Sequence, residues 1–311
     1  MFTPVETGDG SGTFYSETFG EWFHSREGAC NEAQQTYVVS SNLAERALAD
    51  ELKILDVCYG LGYNTAAALE TIWQVNPQCR VEVEALEIDI EVARSAIAQG
   101  LTQPYTPKVQ QVLQDLAAHQ KATHQKATHQ KIEQADLSAY PLTPYSLTAN
   151  LRLGDARQRI QPLVAQGWQA DIIFLDPFSP PHCPQLWTVE FLRLVAQCLQ
   201  PKTGVLVTYS CAAAVRSALT LAGLFIGSTH AGGRKWPGTI ASYRAAALPL
   251  LSPQEQEHLQ TKAAVPYRDP SLRAAADEIL KARAQSQAVS DLMPTGPWRR
   301  RWQRSHQKSS S

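Results

Sequence analysis

Residues 53–75 read KILDVCYGLGYNTAAALETIWQV, and this stretch decides the fold. KILDVC is an apolar run of strand length, YGLGYNT is a glycine-bearing turn, and AAALETIWQV carries apolar residues at helical spacing. The same order recurs further along the chain. RVEVEALEID (80–89) reads as a second strand followed by the helical IEVARSAIAQGL, and LTANLRLGDA (147–156) as a third followed by QRIQPLVAQG. DIIFLD (171–176) is a fourth, leading through a proline-rich segment into the helical WTVEFLRLVAQCLQP (187–201). GVLVTYS (204–210) is a fifth with CAAAVRSALTLAGL as its helix, while LFIGSTHAGG and GTIASYRA read as an antiparallel closing pair. Strands alternating with helices predict an α/β fold whose mostly parallel sheet is covered by helices on both faces.

The chain has 311 residues, enough for one large α/β domain with appendages. No apolar stretch reaches the roughly 18 residues needed to span a bilayer, and the start, MFTPVETGDGSG, has no charged-then-apolar leader pattern. The expectation is a cytoplasmic protein with no membrane partner. Six cysteines (30, 58, 79, 183, 198 and 211) show no CxxC and no metal-ligand spacing with the eight histidines, so neither a disulfide framework nor a metal site is expected. Net charge is −1 but unevenly spread: residues 1–56 carry 3 basic and 10 acidic side chains, and residues 202–311 carry 15 and 6. A basic C-terminal third points to a polyanionic partner.

The chemistry gathers at the strand ends. Gly60 and Gly62 stand at the first strand-to-helix turn, where glycine lets the backbone approach a ligand and the helix N-terminus offers free N–H groups. Thr65 replaces the third glycine of the dinucleotide fingerprint, which argues against NAD. Asp56, Glu87, Asp155 and Asp176 each lie close to the end of one of four successive strands, at the edge where open α/β sheets bind ligands. Glu87 is placed to accept hydrogen bonds from ribose hydroxyls and Asp155 from an adenine amino group. Tyr59 and Asn64, flanking the two glycines, are grouped with this cofactor site.

In these features the chain resembles the class I S-adenosylmethionine-dependent methyltransferases, whose first motif is an acidic residue, a glycine two positions on, then G-x-G. Asp56 and Gly60-Leu61-Gly62 match, while Cys58 replaces the first glycine, which predicts a less tight turn. Three further pieces narrow the resemblance. DIIFLDPFSPPHCPQLWT (171–188), GGRKWPGTIAS (232–242) and the opening GDGSGTFYSETFGEWFHSREGACNEAQQTYV resemble the methyltransferase domain of the tRNA 5-methylaminomethyl-2-thiouridine biosynthesis (MnmC) family and its stand-alone relatives. His182-Cys183 departs from the short polar pair usual there, and HQKATHQKATHQK (119–131) has no counterpart.

The resemblance implies a Rossmann-like, seven-stranded domain over residues 46–250 with an exposed insertion at 117–135, an N-terminal family-specific extension over 1–45, and a helical, basic, partly disordered C-terminal extension over 251–311. It implies S-adenosylmethionine as cofactor and methylation of the aminomethyl group of the tRNA wobble uridine, 2-thiolated or not. The flavin-dependent half of fused members has no counterpart in these residues, so a separate partner is expected to supply the aminomethyl intermediate. Asp176 is the expected catalytic residue, its carboxylate accepting a hydrogen bond from an amine N–H, orienting the lone pair and stabilising the cationic product. Phe178 and Pro180 in the stiff loop, Glu32, Arg234 and Lys235 are expected to bind substrate, with Phe178 stacking on an extruded base. Arg299, Arg300, Arg301 and Arg304 with Trp298 and Trp302 are expected to contact phosphate and stack on bases. Alternatives on the same fold are an aminopropyltransferase, a small-amine methyltransferase, or a non-enzymatic RNA-binding protein.

Overall fold

The computed structural model describes the backbone of residues 2–124, 135–136, 147–229 and 236–309, and side chains within these except those of 119–124, 135–136, 247 and 304–309. Most of the 117–135 insertion, Arg234 and Lys235, and the side chain of Arg304 therefore lie outside the described residues.

The expected sheet forms. Its strands are β1 (Glu51–Val57), β2 (Arg80–Glu87), β3 (Leu147–Leu153), β4 (Ile172–Leu175), β5 (Val205–Thr208), β6 (Phe225–Ser228) and β7 (Thr239–Ser242). They lie in the order β6-β7-β5-β4-β1-β2-β3, with a two-residue segment, Ala135–Asp136, pairing antiparallel beyond β3. The pairs β3-β2, β2-β1, β1-β4 and β4-β5 are all parallel, and β7 runs antiparallel to both β5 and β6. β4, IIFL, and β5, VLVT, are buried at every position, which is why they read as continuous apolar runs rather than alternating ones.

Helices cover both faces. One core packs α1 (Tyr63–Val75), α2 (Ile90–Ala98) and α3 (Pro107–His124), together with the N-terminal Ala29–Arg46 segment, against one side of the sheet. The other core packs Ala156–Ala165, α4 (Val189–Gln197) and α5 (Ala213–Leu221) around the fully buried Trp187. Arg216 on α5 is 1% exposed, an expensive place for a charge unless it is paired. Its guanidinium donates to the Thr239 hydroxyl (2.9 Å), the Gly238 carbonyl (3.1 Å) and the Glu255 carboxylate (2.7 Å), tying the antiparallel edge to the segment beyond it.

The two extensions are fastened to this domain. Near the N-terminus, Tyr15–Ser16 pairs with Glu21–Trp22 in a short antiparallel ladder, and the Tyr63 hydroxyl donates to the Gly12 carbonyl (2.8 Å). Beyond residue 250, Arg157 donates to Asp269 (2.9 Å) and to the Ala274 carbonyl (2.9 Å), and Ile279 of α6 (Ala276–Val289) enters the second core. The last helix, α7 (Thr295–Ser309), docks through its tryptophans. The Trp298 ring stacks on His258 with centroids 4.0 Å apart, and the Trp302 indole donates to Glu257 (2.7 Å), which also pairs with Arg301. Both indoles are thus engaged inside the chain, whereas Arg299 and Arg300 are exposed. Among the described residues no helix is long and apolar enough to cross a membrane, and no group of His, Cys, Asp and Glu is placed to hold a metal ion.

Candidate active site at the carboxyl edge of the sheet

Strand order reverses between β1 and β4, since β2 and β3 lie on one side of β1 and β5 on the other side of β4. Such a reversal leaves a crevice at the carboxyl ends of the strands. Here it opens into a cleft of ≈ 580 Å³ lined by the first turn (Cys58, Tyr59, Gly60), the end of β2 (Leu86, Glu87, Ile88), Gly154–Arg157 after β3, Asp176–Ser179 after β4, and Tyr209 after β5. The N-terminal segment from Phe19 to Arg26, with Tyr15 and Glu32, supplies the opposite wall.

The turn itself is strongly left-handed. Gly60 has φ +55° and Gly62 φ +87°, and Cys58 takes φ +71° although it carries a side chain. The turn is therefore not loosened by the missing glycine; Cys58 adopts the conformation glycine would favour, at a cost of about 1–2 kcal/mol. A Cβ on Gly62 would meet the Tyr59 hydroxyl at 2.6 Å, so this position has no room for a larger residue. Glu87 braces the turn: one carboxylate oxygen accepts from the Gly60 amide (2.8 Å), and the other from the amides of Ile88 (2.8 Å) and Asp89 (2.9 Å). Burial nevertheless raises its pKa, offsetting the three amide bonds that lower it.

Asp56 sits behind the turn, not in the cleft. It is fully buried, its Oδ2 accepts from the Thr65 hydroxyl (2.6 Å), and its Oδ1 has no partner. Burial pushes its pKa up to about 7. Asn64 is also behind the cleft wall, 3% exposed, and its amide donates to Asp176 Oδ2 (2.8 Å). Asp155 lies in the cleft, yet it caps the next helix by accepting from the Arg157 amide (2.9 Å), and both its oxygens are gripped by the Arg157 guanidinium (2.7–3.1 Å).

Asp176 follows the last residue of β4, and its amide donates to the Val57 carbonyl at the end of β1 (3.0 Å). Its side chain opens on the cleft with Glu32 facing it and the fully buried Tyr37 beside it. Burial, reinforced by the Glu32 carboxylate, holds the Asp176 pKa well above the ordinary carboxylate range, against the opposing pull of Tyr37 and Asn64. Glu32 is itself fixed, accepting from the Ser25 amide (2.7 Å). Tyr209 donates to the Pro177 carbonyl (2.9 Å), setting the start of the proline-rich loop.

That loop is clamped from two sides. Trp187 donates to the Phe178 carbonyl (2.8 Å), and Glu21 of the N-terminal ladder accepts from both the amide (2.8 Å) and the hydroxyl of Ser179. The Phe178 ring packs on Phe19 (4.5 Å, near-parallel) and Phe23 (4.9 Å, edge-on). Pro180 is buried and does not line the cleft. The structure thus brings Tyr59, Gly60, Glu87, Asp155, Asp176, Phe178 and Glu32 to one cleft, and leaves Asp56, Gly62, Asn64 and Pro180 outside its lining. Sequence reading did not single out Tyr37, Tyr209, Glu21 or Ile88. Tyr209 and Ile88 carried a signal, since each directly follows a strand end.

The cleft fits a nucleoside cofactor. Glu87 is an acceptor at the end of β2, the left-handed turn brings bare backbone to the cleft, and Ile88 beside it is 65% exposed, an apolar side chain that a purine would cover.

Comparison with known proteins agrees. Residues 115–244 match a family described as S-adenosyl-L-methionine-dependent methyltransferase. The crystal structure of MnmC2 from Aquifex aeolicus superposes with a TM-score of 0.72 at 30% identity, covering 93% of this chain and 86% of that one. An uncharacterized protein of Methanocaldococcus jannaschii is 28% identical over 283 residues, 90% of this chain and 71% of that protein. The tRNA 5-methylaminomethyl-2-thiouridine biosynthesis bifunctional protein MnmC of an Azoarcus strain is 27% identical over 216 residues, a match that spans only 31% of its length. With the fold, the strand-end acids and the glycine turn in place, the chain belongs to the MnmC-type family of S-adenosyl-L-methionine-dependent methyltransferases.

Proposed function

We propose that this enzyme methylates the primary amine of 5-aminomethyluridine, with or without a 2-thio group, at the wobble position of tRNA. The observation that carries this reading is the pair of acids at one end of the cleft, with Asp176 held by Asn64 beside Tyr37 and facing Glu32. Two carboxylates in a partly enclosed cleft are an unfavourable arrangement that an incoming ammonium relieves. The names of the bifunctional relatives, which specify 5-methylaminomethyl-2-thiouridine, support uridine as the carrier of that amine. The exposed Arg299 and Arg300 on α7 provide phosphate contacts.

An alkylammonium has no lone pair and cannot attack. Asp176, its pKa raised toward that of its substrate, takes one proton and accepts a hydrogen bond from an N–H that remains, which aims the lone pair at the methyl. Glu87 and the Cys58–Gly60 turn would hold S-adenosylmethionine, which would supply a methyl already activated on a sulfonium, so little further acid–base chemistry would be required. As the N–C bond formed and the S–C bond broke, the Glu32 carboxylate would stabilise the developing secondary ammonium, and Asp176 would pass its proton to solvent as the product leaves, restoring its carboxylate. Phe178, Phe19 and Phe23 wall the site against water.

The test uses a synthetic anticodon stem–loop RNA carrying 5-aminomethyluridine at the wobble position, the same RNA with plain uridine, and free alkylamines. Methyl transfer from S-adenosylmethionine to the first RNA alone is expected. Transfer to free amines but not to the RNA would overturn the substrate assignment.

A further inference from the structure

Two sets of aromatic rings line the cleft, one on the proline-rich loop and one on the N-terminal ladder. Phe178 is committed to its own chain, with Phe19 stacked at 4.5 Å and Phe23 edge-on at 4.9 Å. Tyr15 and Trp22 are different. They are register partners across the two-residue ladder, their rings meet edge-to-face at 5.1 Å, and both line the cleft. Tyr15 is 44% exposed, a large aromatic surface left open at the mouth of an enzyme cleft. The exposed Arg26 guanidinium lies 5.5 Å from the Trp22 ring centroid and lines the same cleft.

The ladder is bonded to the loop that follows Asp176. Trp22 is flanked by Glu21, whose carboxylate grips Ser179 of the catalytic loop, and by Phe23, whose ring packs on Phe178. The platform is thereby tied to the residues that follow Asp176. A π-surface for a base, a cation for its phosphate and a fixed link to the methyl-accepting site together recognise one unpaired nucleotide of an RNA loop.

Resting on the reading above, we infer that Tyr15 and Trp22 form the stacking platform for the target nucleotide, or its immediate neighbour in the loop, and that Arg26 contacts the adjoining phosphate. Stacking on an aromatic contributes about 1–3 kcal/mol per base, so losing one ring should weaken RNA binding about 5- to 150-fold. Arg26 should contribute chiefly through salt-dependent attraction.

The experiment measures affinity for the aminomethylated stem–loop RNA by fluorescence anisotropy, its KM and kcat, and S-adenosylmethionine affinity by calorimetry. The proteins are the full chain and its Tyr15→Ala, Trp22→Ala, Trp22→Phe and Arg26→Ala variants. The expected result is at least a fivefold rise in RNA Kd and KM for each aromatic-to-alanine change, recovery in Trp22→Phe, and unchanged cofactor affinity, which also certifies folding. Arg26→Ala should lower the slope of log K against log salt by about one, while the aromatic variants leave it unchanged. Wild-type turnover of the RNA with unaltered Kd and KM in both Tyr15→Ala and Trp22→Ala would overturn this inference and leave the substrate reading standing. A wild-type protein that neither binds nor methylates the RNA would overturn both.

Discussion

Asn64 donates a 2.8 Å hydrogen bond to Asp176 Oδ2 from the first turn of α1, and removing it tests the role proposed for the Asp176 carboxylate without touching that carboxylate. Asn64→Ala deletes a hydrogen bond to a charged acceptor inside a partly enclosed site, an interaction of about 1.5–3 kcal/mol. If that stabilisation holds the carboxylate in its reactive form and place, kcat falls about 10- to 150-fold at one pH. The sign of the pH effect follows from the same bond. Asp176 is already raised by burial and by Glu32, and Asn64 is one of the two groups opposing that rise. Without it the acid protonates at higher pH, so the acid limb of the kcat profile moves upward and part of the lost rate returns as pH increases. Steady-state release of S-adenosylhomocysteine from the aminomethylated RNA across pH 5–9 measures this, with cofactor affinity by calorimetry as the control. A variant whose kcat and acid limb both match the wild type refutes the account of Asp176. Equal loss of rate at every pH would make Asn64 a packing residue only.

Other expectations follow from the same geometry. Glu87→Ala strips three amides, those of Gly60, Ile88 and Asp89, of their acceptor and should weaken cofactor binding at least tenfold by calorimetry; unchanged affinity would separate Glu87 from the cofactor. Asp56 has a folded pKa of about 7 against an ordinary 3.8, so its contribution to stability is full below about pH 4 and is lost as pH rises through about 7. Asp56→Asn should therefore flatten the fall in melting temperature between pH 5 and pH 8, and an unchanged slope would place the titration elsewhere. Arg216→Met breaks the ion pair with the partly exposed Glu255 and two neutral hydrogen bonds of a buried guanidinium, and should destabilise the fold by about 2–4 kcal/mol in denaturant unfolding; a cost below about 1 kcal/mol would contradict the network.

The sheet was legible because parallel strands buried on both faces leave continuous apolar runs, as in DIIFLD and GVLVTYS. The strand-end acids were legible as a set, but their division of labour was not. Asp56 precedes the last residue of β1 and turns under α1, Glu87 is the last residue of β2, and Asp176 comes after β4 has ended. In the sheet register Asp56 pairs with Ala85 and Phe174, two positions short of Glu87 and Asp176 on the same face, so it lies under Thr65 of α1 while the other two reach the cleft. Asn64 and Phe178 were placed near the site but given other work. Their partners, Asp176 for the first and Phe19 and Phe23 for the second, are more than a hundred residues away in the chain, beyond the reach of local pattern. The tryptophans of α7 follow the same rule, since His258 and Glu257, which occupy them, lie some forty residues earlier.

Transfer of the methyl to an amine on tRNA uridine is tested most directly by mass spectrometry of tRNA nucleosides. Bulk tRNA from cells lacking this protein would be digested before and after incubation with the purified chain and S-adenosylmethionine. A 5-aminomethyl-type uridine is expected to disappear and reappear heavier by one methyl, and Asp176→Asn is expected to abolish the conversion. An unaltered nucleoside profile, with cofactor binding intact, would contradict it.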